Sequence, residues 1–96
     1  MPPAIDLWKI DEVRTYLANH FAGARIDDCP RGEWTACLFT LTEPSPDPRK
    51  HKRYYLLLTR QFFDRFRDYT AFKEALDSAD VARTLTRAGE RTVELY

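Results

Sequence analysis

Tyr54-Tyr55-Leu56-Leu57-Leu58-Thr59 is the stretch whose reading decides the fold. Tyr54 to Leu58 is the longest unbroken apolar run in the chain, five residues, where a membrane-spanning helix needs about 20. A short aromatic and aliphatic run of this kind reads as a strand packed on both faces. Side chains alternate along a strand, so Tyr54, Leu56 and Leu58 face one way and Tyr55 and Leu57 the other.

Working outward, Glu33 to Thr42 repeats the pattern. Thr35, Cys37, Phe39 and Leu41 share one side, and Trp34, Ala36, Leu38, Thr40 and Thr42 the other, so again both sides are substantially apolar. Ala24 to Cys29 forms a further strand, joined to this one by the turn Pro30-Arg31-Gly32 as an antiparallel hairpin. Between the second and third strands lies Glu43-Pro44-Ser45-Pro46-Asp47-Pro48. Its prolines lack the amide donor a ladder requires, so it is a loop, and residues 43–53 make a proline-rich hairpin loop with a basic exit.

Leu7, Ile10, Val13, Leu17 and Phe21 recur at spacings of three and four, which predicts a helix over Asp6 to Phe21 with that stripe in the core. Asp6 is its N-cap, with Asp11 a competing one, Ile5 and Ile10 a staple, and Gly23 its stop. After the third strand, Thr59 caps a helix through Phe62, Phe63, Phe66 and Tyr69, and Thr70 or a neighbour restarts one carrying Phe72, Ala75 and Leu76. A third helical piece with Val81, Ala82, Leu85 and Ala88 stops at Gly89. Thr92 to Tyr96 alternates as a half-buried strand, Val93 and Leu95 inward.

The order reads α-β-β-β-α-α-β. It predicts an α+β domain over residues 1–96: an antiparallel three-stranded meander plus a C-terminal strand, returning by a crossover and packed against helices. That last strand fits beside either the first or the third. The first five elements resemble the layout of a double-stranded-RNA-binding domain. Thr59-Arg60-Gln61-Phe62-Phe63 stands where such domains carry lysines, so the likeness is one of topology without function.

Ninety-six residues bound the chain to one small core. Hydrophobic residues at 44% and charged residues at 31% exclude a disordered chain. Net charge is zero, but residues 1–48 carry four Lys/Arg against eight Asp/Glu, net −4, and residues 49–96 carry eleven against seven, net +4. Neutrality is a cancellation of unlike halves, which suits head-to-tail or acidic-to-basic docking between copies.

Catalytic and metal signatures are weak. Cys29 and Cys37 form no CxxC, and His20 and His51 have no spacing that completes a zinc site with them. A hairpin at Pro30-Arg31-Gly32 pairs Cys29 with a residue near Glu33 and leaves Cys37 further up the strand, so both read as reduced thiols, Cys37 buried. Cys29 has only Arg31 nearby to lower its pKa. Asp27, Asp28 and Glu33 read as solvated carboxylates, and His20 as a cap at the end of its helix. Ser45 lacks a nucleophile elbow, and Gly23, Gly32 and Gly89 are too scattered for a phosphate loop. Catalytic, cofactor and metal sites are therefore expected to be none. The amino terminus lacks the basic and apolar regions of a secretory signal, which points to the cytoplasm and no membrane.

The doubly apolar strands carry the functional expectation. A two-layer domain covers one sheet face, so either the helices split across both faces or a homodimer or protein partner covers the second. The second reading makes this a non-enzymatic association protein binding through Trp34, Leu38, Tyr55 and Leu57, or through the opposite face if the helices choose this one. The alternative is a weak nucleic-acid binder using Arg49, Lys50, Lys52 and Arg53 with Tyr54, Tyr55 or Trp34 as a stacking surface. Four phosphate contacts without a wider basic surface give only weak, salt-sensitive binding, at a slope of about −0.9 per phosphate on duplex DNA. The plainer reading of those charges is a solvated loop guarding a hairpin edge.

Overall fold

The computed structural model describes residues 5–32, 35–44, 46, 47, 49 and 52–96. Eight elements follow in order: α1 (Leu7–His20), β1 (Arg25–Arg31), β2 (Ala36–Glu43), β3 (Lys52–Thr59), α2 (Arg60–Asp64), α3 (Tyr69–Ser78), α4 (Val81–Ala88) and β4 (Thr92–Leu95). The fold is α+β. One sheet has the order β1-β2-β3-β4, with β1, β2 and β3 an antiparallel meander and β4 parallel to β3.

Of the two places open to the last strand, the structure takes the one beside β3. Thr59 and Arg65 secure it there: the Thr59 hydroxyl donates to the Leu95 carbonyl at 3.1 Å and Arg65 Nη1 to the Tyr96 carbonyl at 2.6 Å. The order α-β-β-β-α-α-β counts two helices in the crossover; the structure has all three of the helical pieces read there, as α2, α3 and α4. The first of them stops at Asp64 instead of Tyr69, and the Asp68 carboxylate accepts the Ala71 amide at 2.8 Å, starting α3 afresh. Thr59 caps α2 as expected, accepting the Phe62 amide at 3.3 Å.

Every helix lies on one side of the sheet. Cys37, Phe39 and Leu41 of β2 and Tyr54, Leu56 and Leu58 of β3 are buried in a single core with Val13 and Leu17 of α1, Phe62 and Phe63 of α2, Phe72 and Leu76 of α3, and Val81 and Leu85 of α4. Ile26, Val93 and Leu95 extend that face onto the outer strands. Splitting the helices across both faces is therefore not what this chain does.

The α1 stripe needs a correction. Leu7 is 73% exposed, while Lys9 and Tyr16 are buried. At about 100° per residue, Lys9, Tyr16, Val13, Leu17 and Ile10 fill one arc and Leu7 lies beyond Ile10 on its far side. The helix is thus rotated toward Tyr16. The rotation is used: the Tyr16 hydroxyl accepts the Ala82 amide at 3.2 Å in the first turn of α4. It serves there in place of Asp80, which is left-handed at φ 50 and makes no side-chain cap.

The first hairpin also differs. β1 runs through Pro30 to Arg31, and the connection is residues 32–35, closed by the Thr35 amide donating to the Arg31 carbonyl at 3.0 Å. Proline is tolerated because β1 is an edge strand whose outward side needs no donor.

Candidate functional site

The register lays out the sheet face that carries no helix, row by row. Leu38 of β2 stands beside Leu57 of β3, with Cys29 of β1 and Glu94 of β4 flanking them. The next row reads Asp27, Thr40, Tyr55, Thr92, and beyond it lie Arg25, Thr42 and Arg53. At the other end, Arg31 pairs with Ala36 and Ala36 with Thr59. The two central strands thus supply Leu38, Leu57, Tyr55, Ala36, hydroxyls and, at one end, Arg53, and the edge strands supply the other ions. An apolar centre with a charged rim is how specific protein interfaces are composed.

Leu38, Tyr55 and Leu57, three of the residues expected to bind a partner, come together on this face. Each is half-buried, yet none is among the residues packed against the core. Trp34, the fourth, lies outside the described residues, as do Glu33, Ser45, Lys50 and His51.

Arg49, Lys52 and Arg53, the described members of the basic run, line one shallow cleft with Tyr54, Thr86 and Glu90. Arg53 points to the open face and Lys52 stands opposite Glu43 in the register, while the Arg49 amide donates to the Asp47 carboxylate at 3.0 Å. Arg53 also lines a second shallow cleft, of ≈ 580 Å³, with Arg25, Thr40, Thr42 and Tyr55. Arg25 is already engaged, its Nε 3.2 Å from Asp27 Oδ2. Arg31 and Arg53 make no ion pair among the described residues. Tyr54 faces the core against Phe21, so of the two tyrosines it is Tyr55 that is placed to stack.

The two cysteines need a different explanation from spacing along a hairpin. Cys29 pairs with Leu38 and Cys37 with Pro30, so they are near neighbours across the ladder. Strand alternation sends them to opposite faces, Cys29 exposed and Cys37 buried, and both thiols are free. Burial, helped by the Asp28 carboxylate, pushes the Cys37 thiol up to about 11. The Cys29 thiol donates to its neighbour's carbonyl, Pro30, at 3.6 Å.

Asp27 and Asp28 likewise part company. Asp27 joins Arg25 on the open face, and Asp28 turns to the helix side, where it pairs with Arg14 of α1. Among the described residues no group of three His, Cys, Asp or Glu side chains is placed to hold a metal. His20 ends α1 with its ring 4.3 Å from that of Tyr16.

Two features escaped sequence reasoning. Lys9 is buried, its Nζ donating to the Phe63 carbonyl at 2.6 Å and lying 3.9 Å from Asp6. A lysine one turn into an amphipathic stripe is the only signal for it, and that signal is usually a solvated charge. Leu7, Trp8 and Tyr69 are exposed large apolar residues at the start of α1 and α3, Trp8 and Tyr69 with ring centroids 6.4 Å apart. No helix among the described residues is long and apolar enough to cross a membrane. Comparisons with protein-family models, curated proteins and solved structures find no match for this chain.

Proposed function

We propose that this chain is a non-catalytic association protein of the cytoplasm that binds protein, a second copy or a foreign partner, through the sheet face opposite its helices. One observation carries the reading: Leu38, Tyr55 and Leu57 sit side by side on the central strands, off the core, on the face that carries no helix among the described residues. Contiguous, half-exposed apolar side chains of this kind suit a partner-binding surface. The unpaired thiols agree with a reducing compartment.

Cys29 is a built-in reporter of that face, because it flanks Leu38 and is exposed while Cys37 is shielded and poorly ionised. Alkylation of Cys29 should slow as protein concentration rises or as a partner binds, and Leu38→Asp should remove the slowing while keeping the fold. A Cys29 that reacts at one rate under all these conditions, in wild type and variant alike, counts against the face. Fast, selective alkylation near neutral pH in the dilute chain would instead favour a nucleophilic Cys29.

A second reading rests on Arg53, Arg25 and Tyr55 lining one cleft, a cationic pair beside a stackable ring. It makes the face a weak single-strand binder. Replacing Arg49, Lys50, Lys52 and Arg53 with alanine should then abolish anisotropy changes with a short single-stranded RNA at low salt. Equal binding by the two proteins removes it.

A further inference from the structure

The ions of the open face define the chemistry that fits it. Its strand residues include Arg25, Asp27 and Arg31 of β1, Arg53 of β3 and Glu94 of β4. Arg25 is paired with Asp27 at 3.2 Å, and Glu94 accepts the Tyr96 hydroxyl. Arg31 and Arg53 make no ion pair among the described residues, so the charge left unanswered on this face is wholly positive. These two arginines stand at opposite ends, Arg31 in the row of Ala36 and Arg53 in the row of Thr42, with Leu38, Leu57, Thr40 and Tyr55 in the rows between.

We infer that the occupant of this face is an amphipathic helix of a foreign protein, apolar along its middle and acidic at both ends. This rests on the reading of the open face as an association surface, and it adds the partner's chemistry and form.

Charge argues for a foreign partner. Stacked on a copy of itself about a two-fold axis along the strands, the face brings the two Arg53 side chains together; about an axis across the strands it lays Arg25 over Arg31. Like charges facing across an interface are penalised, whereas a carboxylate at each end of a partner answers both free arginines.

Shape argues for a helix. The apolar side chains belong to the two central strands alone, a strip about 10 Å wide, which is the diameter of one helix. A second sheet would also cover the edge strands and bury the Arg25–Asp27 pair and Glu94, at the cost of desolvating them. A single helix laid along β2 and β3 leaves those ions at a wet rim and adds the second helical layer that this chain does not supply. Three steps of about 6.8 Å separate the rows of Arg31 and Arg53, roughly 20 Å, so the acidic groups of the partner stand about 14 helical residues apart. A strip of this size makes a small interface of the weak, transient class.

Fluorescence anisotropy of the full chain with a labelled model helix of about 18 residues tests the inference, the peptide carrying leucines at spacings of three and four along its centre and glutamates at each end. It should bind with a dissociation constant on the order of 10 µM at low salt and slow the alkylation of Cys29, which flanks Leu38. A helix with lysines in place of the glutamates should bind about tenfold or more weakly. Arg31→Glu combined with Arg53→Glu, both at exposed positions, should reverse that preference, and Leu38→Asp should abolish binding of either peptide. Circular dichroism melts identify any variant that fails to fold. Equal binding of the two peptides, or binding indifferent to Leu38→Asp, overturns the inference. Tighter binding of a short single-stranded RNA than of the acidic-ended helix, lost in the same arginine variant, gives the face to nucleic acid and overturns it too. If the acidic-ended helix fails to bind while Cys29 is shielded as protein concentration rises, a second copy takes the face: the foreign helix falls and the association reading stands. Neither binding nor shielding overturns both.

Discussion

Lys9 and Cys37 show how single buried groups act in a small core. Lys9 brings an ammonium to the Phe63 carbonyl near the end of α2, where unpaired carbonyls make a cation favourable. Lys9→Met keeps the stem and loses the donor, and should cost about 1–2 kcal/mol in denaturant melts. Tyr16→Phe, which removes the acceptor for the Ala82 amide, should cost about 1 kcal/mol and loosen the first turn of α4 in hydrogen exchange. Cys37 sets a pH limit. Its thiol is raised in the fold from 9.0 to about 11, so the neutral form is the one the core accepts. That contribution is complete below about pH 9 and is lost as pH climbs through about 11, amounting to about 2–3 kcal/mol. Stability of wild type relative to Cys37→Ala, followed across this window, should fall by that amount; parallel curves would refute it.

Among the elements, the aromatic group at the start of the crossover has the largest stake. Phe72 is fully buried, with the rings of Phe62, Phe63, Phe66 and Trp8 at centroid distances of 5.8 to 6.3 Å. Phe72→Ala should cost about 3–5 kcal/mol, a large part of the roughly 5–14 kcal/mol available to a domain of this length. At the first hairpin, Gly32 has φ +51, and a Cβ there would run into the Thr35 hydroxyl. Gly32→Ala should therefore destabilise by about 1–2 kcal/mol, measured by thermal melts. The strands were legible in the sequence because a period of two leaves little choice: the faces of β2 and β3 follow from alternation alone. Helix boundaries were less so. Leu7 satisfied the three-and-four spacing yet fell outside the buried arc, since spacing fixes a stripe only to within a residue's rotation. Pro30 resembled a turn residue, and nothing local told that β1 would be an edge where proline fits.

On the scale of the whole molecule, the four helices among the described residues all lie on one face of the four-stranded sheet, because 96 residues supply little more than one layer of helix. The association surface was legible to the extent that alternation placed Leu38, Tyr55 and Leu57 together; its rim was not, since Glu94 joins it only through the parallel pairing of β4. Association through such a face should weaken moderately with salt, because its ionic contacts lie at the exposed rim and its apolar contacts at the centre. Dissociation constants at low and high ionic strength measure this, and an affinity that rises with dilution of salt by orders of magnitude would mean that charge, not Leu38 and Leu57, holds the partner.

The parallel strand β4 has a further consequence for motion and folding. Its tie to Thr59 joins residues 36 apart in sequence, whereas the meander forms from neighbouring strands. Closing so long a loop comes late, and a four-residue edge strand opens early. Amide exchange in β4 should therefore run ahead of the rest of the sheet. Since Glu94 rides on that strand, a partner on the open face would quiet it, and the fraying of one edge would become a gauge of how often the molecule is alone.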